Sequence, residues 1–190
     1  MRKHESNPRI HEITLLRYLT TALFIAVALM ASVVRPEAAS GTAEVSVTGT
    51  YNYEYAYEVL DQMNELRASV GVSSLVMDQT LLEYATQRAA EIAFLFEHTR
   101  PDGSSCFSIG SSVHGENIAY GYSTSTSVMN GWTNSSGHYA NMVRSNFKSV
   151  GIGCFISPSG GIYWVQCFSY YSGTAASQPA NGSKTVTVVI

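Results

Sequence analysis

A chain of 190 residues, 45% hydrophobic and only 13% charged, has enough apolar material for one ordinary domain with a real core plus flanking segments. The formal net charge is −3 and no basic stripe is present, which argues against nucleic acid as the partner.

Residues 1–40 read as a signal peptide or membrane anchor and stand apart from the fold. Arg2, Lys3, Arg9 and Arg17 form a basic stretch ahead of the sixteen apolar and small residues Leu19–Val34. That run falls short of the ~20 residues that span a bilayer comfortably. EAASGTA then supplies small residues for a cut after Ser40 or Ala43. Export with cleavage is the first reading; an uncleaved anchor, bracketed by Arg17 and Arg35, is the second. Cleavage after Ser40 removes five of eleven basic and three of fourteen acidic residues, leaving a net charge of −5. An exported chain can hold disulfides. Its three cysteines, Cys106, Cys154 and Cys167, leave at least one unpaired within a monomer.

Residues 41–54 read as a linker in which Val45 and Val47 form a brief strand. Val59, Leu60, Met63, Leu66 and Val70 then fall on one side of a helix that Gly71 ends. A second helix follows, with Asp78 as N-cap and Leu81, Leu82, Ala85, Ala89, Ile92, Ala93 and Phe96 at helical spacing. HTRPDGSS is loop, and GENIAYG is strand or turn. Short helices are predicted around Ser127–Trp132 and from Ser136. VGIGCFIS and IYWVQCFSYY, separated by PSGG, form a hairpin rich in β-branched and aromatic residues. Cys154 and Cys167 lie almost symmetrically about that turn, so a cross-strand disulfide worth ~3 kcal/mol is expected, with two buried free thiols as the alternative. Cys106 is then the odd cysteine, idle in a loop. Residues 172–190 read as a polar linker ending in a possible edge strand, TVTVVI.

Three residues that could carry chemistry sit at element ends or in Gly-flanked loops: His98 in EHTRPDG, Glu116 in HGENIAYG and His138 in NSSGHYANM. Two imidazoles and a carboxylate are a known ligand set for Zn²⁺. Their separations of 18 and 22 residues are not a local zinc motif, and spacing alone leaves three unrelated loop residues as the plainer reading. His114 reads as a solvated loop residue. Trp132 reads as core, and Asn117 as a side chain bonding a loop backbone.

The pieces MNELRASVGVSSLVMDQTLLEYATQRAAEIA, HTRPDG, GENIAYG, GWTNSSGHYANM and VGIGC…IYWVQCF together resemble the CAP superfamily of cysteine-rich secretory, antigen 5 and pathogenesis-related class 1 proteins, and in particular its bacterial exported, SCP-like branch. The resemblance spans residues 55–171. It implies an α+β fold, a three-layer α-β-α sandwich around a small, mostly antiparallel sheet, and a central cavity with two histidines and acidic residues. Carried over by motif, these are His98, His138 and Glu116. Where many relatives have a second glutamate, three residues after the tryptophan, this chain has Ser135, a weaker ligand set for zinc.

Three functions follow as expectations. The first is a secreted, non-catalytic binding module whose His/Glu cleft holds a metal, lipid, peptide or cell-wall component. The second is an extracellular hydrolase. In it, either zinc acidifies a water with Glu116 as base, or Ser135 or Ser136 is the nucleophile with His138 as base and Glu116 as orienting acid. The third is a cell-surface structural role, with membrane contact only through an uncleaved N-terminal segment.

Overall fold

Two amphipathic helices cannot bury their apolar stripes on each other alone, and here a sheet separates them. The computed structural model describes residues 42–190; the segment read as signal peptide or anchor lies outside the described residues. The order is β1 (Glu44–Tyr51), α1 (Tyr53–Ser69), β2 (Val76–Met77), α2 (Gln79–Phe94), a 3₁₀ turn (Cys106–Ile109), β3 (Gly115–Tyr120), α3 (Ser125–Thr133), α4 (Ser136–Met142), β4 (Ser149–Ile156), β5 (Ile162–Ser169) and β6 (Gly182–Val189). The strands lie in the order β3-β5-β4-β1-β6, all antiparallel, with β2 added parallel to β4.

Helix α2 covers one face of this sheet. Gly151 and Gly153 of β4 lie directly beneath it, and a Cβ at either would overlap the backbone carbonyl of Leu81 or Ala85. On the opposite face Trp164 of β5 stacks on Tyr55 of α1 with ring centroids 5.9 Å apart, and Gln166 Nε2 reaches Met63 Sδ. The result is the expected α-β-α sandwich of the α+β class.

Local chemistry sets the helix ends. Asn52 caps α1, accepting from the Tyr55 N–H at 3.0 Å. Asp78 caps α2 through the Leu81 N–H at 2.8 Å. Thr124 and Ser127 cap α3 reciprocally. After α1 the chain reverses at Gly71, whose φ of 74° suits glycine. The helical spacing counts Phe96 into the second helix, whereas α2 ends at Phe94 and Phe96 lies half-exposed beyond it. Arg67, near the end of α1, is fully buried; it donates to the carbonyls of Ser73, Met142 and Arg144 and so ties α1 to the chain leaving α4.

The hairpin register corrects the expected disulfide. Ile156 faces Ile162, so the strands turn about Ser159, whereas a Cys154–Cys167 pair needs a centre between Gly160 and Gly161. Cys154 therefore lies opposite Trp164, and Cys167 opposite Gly151. Three positions separate them along β4, an odd number, so their side chains leave opposite faces of the sheet. Cys106, Cys154 and Cys167 are all free thiols and all buried. Burial pushes Cys154 up to about 12 and Cys167 well above the usual thiol value.

The segments read as linkers are also strands. β1 and β6 pair along their whole length, from Glu44–Val189 to Tyr51–Gly182. This two-stranded ribbon joins the remaining sheet only through Thr50–Ile156 and Tyr51–Phe155. Gly49 permits that junction, because the Phe155 ring occupies the space a Cβ would fill.

Candidate binding cleft

Strand alternation sends neighbouring residues of GEN to opposite faces. Glu116 lies opposite Cys167 and points toward α2. Asn117 faces the other way, donating to Gln166 Oε1 at 2.9 Å and to the His138 carbonyl at 3.1 Å, while Asn141 donates to Asn117 Oδ1 at 2.9 Å. Asn117 thus fastens α4, which carries His138, to β3.

Glu116 is almost wholly buried and meets a charge network rooted in α2. Arg88, fully buried, donates Nε to Glu116 Oε2 at 2.7 Å and Nη2 to Glu116 Oε1 at 3.2 Å. Its Nη1 bonds Glu91 Oε2 at 2.8 Å, and Nη2 also bonds the Glu97 carbonyl. Arg100 closes on Glu91 from outside, Nη2 to Oε1 at 2.6 Å. His98 Nδ1 lies 2.8 Å from Glu116 Oε1. Burial alone would raise both carboxyl pKa values. Hydrogen bonds and charge from His98 and Arg88 on Glu116, and from Arg100 and Arg88 on Glu91, outweigh it and hold both below the usual carboxylate range.

The Cys106 sulfur beside the ring, followed by the Glu116 hydrogen bond, raises His98 to about 9. Burial, then the nearby charge of His98, keeps His138 below the ordinary histidine value. A proton NMR titration of the rings is expected to show His98 titrating near 9 and His138 below 6.5, with Glu116→Gln lowering the His98 midpoint. A folded-state pKa raised above the unfolded one stabilises the fold fully below pH ~6.5, and the contribution fades as pH rises through the folded value. Unfolding midpoints should therefore decline between neutral pH and pH 9 for the wild type, and less so for Glu116→Gln.

Two hollows adjoin β3. One, of about 430 Å³, is lined by His98, Cys106, His114, Glu116 and Asn141. The other, about 350 Å³, is lined by Phe96, Tyr120, Tyr122, Trp132, Ser135 and His138. A third hollow as large as the first lies between α2 and β6, and its walls contain no histidine or cysteine.

The structure thus brings His98 and Glu116 into contact, with Cys106 as an unforeseen neighbour. His138 and Ser135 line the adjoining hollow. Ser135 stands at the N-cap of α4 without a capping bond from its side chain, and the buried Nδ1 of His138 has no partner. Glu116 bonds His98 and makes no hydrogen bond to His138, so the Ser135–His138–Glu116 relay is not formed. His114 departs from the solvated-loop reading: its ring packs 4.5 Å from Tyr170 and 5.2 Å from Tyr171, and its buried Nδ1 is unpartnered. Trp132 is core, as expected.

As donors for zinc, the group among the described residues whose ligand atoms lie within 4.8 Å of one another is His98, Cys106 and Glu116. Nitrogen, sulfur and carboxylate oxygen are the donor types Zn²⁺ takes, so the residues present fit that ion.

A model of the cysteine-rich secretory protein family matches residues 60–168. The chain belongs to the CAP family. Strands β1 and β6 of this CAP domain lie outside the matched span. Over 122 residues, 60% of the chain, it is 32% identical to the Bacillus subtilis protein YkwD, covering 46% of YkwD. It is 29% identical over 104 residues to the Bacillus subtilis membrane protein YlbC, covering 30% of YlbC. The chain therefore spans less than half the length of these curated relatives. Two solved structures share the CAP fold. One is an extracellular Bacillus anthracis protein containing an SCP domain, with TM-score 0.54, 23% identity, and 61% of this chain and 40% of that one covered. The other is an outer surface protein from Borrelia burgdorferi, with TM-score 0.55, 18% identity, and coverage of 64% and 97%.

Proposed function

We propose that this is an exported CAP domain acting as a non-catalytic extracellular binding module, whose cleft along β3 takes a peptide presenting an apolar or aromatic side chain beside a polar group. The observation that carries this reading is that both oxygens of Glu116 already accept hydrogen bonds, from Arg88 and His98. A general base needs a pKa near the working pH. Glu116, held below the usual carboxylate range, is a strut for His98 and a poor proton acceptor. That weighs against the zinc-water scheme, and the serine scheme lacks the His138–Glu116 hydrogen bond it requires.

The peptide class follows from the walls. Phe96 and Tyr120 are about half-exposed, with rings 6.2 Å apart, and Tyr120 packs on Tyr163 at 4.7 Å. Rigid exposed aromatics beside polar groups are what recognition surfaces use. Export is supported by the basic and apolar pattern of residues 1–40 and by the description of the two structural relatives as extracellular and outer-surface proteins. No helix among the described residues is long and apolar enough to cross a membrane.

Titrating metal-free, isotope-labelled protein with a pool of short aromatic-containing peptides should shift the amides of Phe96, Tyr120 and His98. Tyr120→Ala should weaken binding by about tenfold, the scale of one aromatic contact of ~1–2 kcal/mol. Steady peptide cleavage that Glu116→Gln abolishes, or silence toward peptides with the same shifts produced by lipid vesicles, would overturn the proposal.

A further inference from the structure

We propose that Cys106 is a metal ligand: its thiolate and the His98 imidazole hold a zinc-class cation in the hollow beside β3, with Glu116 and Arg88 fixing His98 from behind. The inference rests on reading this cleft as a binding site and adds an ion to its contents. It places a sulfur donor where the sequence pattern offers only histidines and a carboxylate.

The loop between α2 and β3 is built to bring the two donors together. The Cys106 N–H bonds the His98 carbonyl at 2.9 Å, and Thr99 and Ser105 form an antiparallel bridge just inside that pair. The backbone therefore closes on itself, and the ligand atoms of His98, Cys106 and Glu116 fall within 4.8 Å of one another. Cys106 is 4% exposed yet lines the hollow, in contrast to Cys154 and Cys167, which are sealed within the sandwich.

The surroundings of His98 complete the arrangement. Its Nδ1 is committed to Glu116 Oε1, which leaves Nε2 as the nitrogen for a ligand. A carboxylate behind a histidine fixes the tautomer and ring orientation and makes the metal-facing nitrogen a better donor. Arg88, bonded to both Glu116 oxygens, keeps that carboxylate in place. His114 lines the same hollow, with its ring packed on Tyr170 and Tyr171. Thiolate with imidazole selects zinc and similarly soft ions over magnesium or calcium, which require oxygen ligands.

The test uses metal-free protein, Co²⁺ as a spectroscopic probe and Zn²⁺ for affinity. One equivalent of Co²⁺ should produce a sulfur-to-cobalt charge-transfer absorption in the near ultraviolet, which Zn²⁺ then removes. Cys106→Ser should abolish the band and weaken Zn²⁺ binding at least about tenfold by calorimetry, while His138→Ala keeps the band. Zinc binding of equal strength in wild type and Cys106→Ser, or no uptake of either metal, would overturn the assignment. Should Cys106→Ser fail to fold, the wild type alone decides. Zinc must slow iodoacetamide labelling of Cys106, read by peptide mass spectrometry, with Cys154 and Cys167 as buried internal controls; unchanged labelling would overturn the site. Peptide-induced shifts at Tyr120 are measured without metal, so loss of the ion site and loss of the peptide reading are separate results.

Discussion

Arg88→Ala is expected to destabilise the fold by about 3–5 kcal/mol, read as a fall in the urea midpoint at neutral pH. Arg88 is fully buried, and it alone faces both Glu91 and Glu116. Removing it leaves two carboxylates with side chains only 1% exposed, Glu116 with His98 and Glu91 with Arg100 as the remaining charged partner, and Gln87 as a further donor to Glu91. The pH dependence carries the sign of the mechanism. In the wild type both carboxyls have lowered folded-state pKa values, so their stabilisation is present at neutral pH and is lost as pH falls through those values. Without the guanidinium, burial dominates and raises the folded-state pKa. The variant then gains relative stability on acidification as the carboxyls take up protons. The gap between the two proteins should narrow from pH 7 toward pH 4. A constant gap would mean that Arg88 acts by packing alone.

Gly151→Ala is expected to reach the top of the ~1–3 kcal/mol range for overpacked sites, or to pass it. The added Cβ would meet the backbone carbonyl of Leu81, and a helix backbone cannot rotate aside as a side chain can. Helix α2 must then lift from β4, which also displaces Arg88 from Glu116. Gly137→Ala is the control. Gly137 lies within α4 with no atom within 4 Å of a new Cβ, and its substitution should stabilise by about 0.4–1 kcal/mol. Thermal melting of the two variants in parallel separates a crowding effect from a general intolerance of glycine replacement.

What could be read beforehand tracks the range of each interaction. Helices α1 and α2, the Asp78 cap and the β4–β5 hairpin were legible because periodicity and capping are local signals. The pairing of His98 with Glu116 came from motif resemblance, since no rule of spacing joins residues across a loop and a strand. Arg88 does leave a signal: it shares the helical stripe of Ala85, Ala89 and Ile92, an odd place for a guanidinium unless a buried acid waits for it. Cys106 and His114 left none: Cys106 meets His98 through a fold-back of their shared loop, and His114 meets Tyr170 and Tyr171 from beyond β5. The disulfide failed on register. A turn residue fixes which positions face each other, and one and a half residues of displacement of the centre sent the two thiols to opposite faces. Only the valine-bearing parts of β1 and β6 are legible as strand, because serine, threonine, glycine and lysine fill the rest and each strand is only partly buried.

The ribbon of β1 and β6 has a mechanical consequence. Ala43 and Ile190 exchange two hydrogen bonds at its outer end, and the junction with β4 lies seven residues further along β1, about 23 Å at strand rise. The ribbon is also held from the side: Gln87 of α2 donates to the Thr187 carbonyl, Val188 is fully buried, and Val47 and Val186 pack against the core. Loosening the ribbon would therefore strip a brace from the helix that carries Arg88, so β1 and β6 help to hold the cleft's charged scaffold in place.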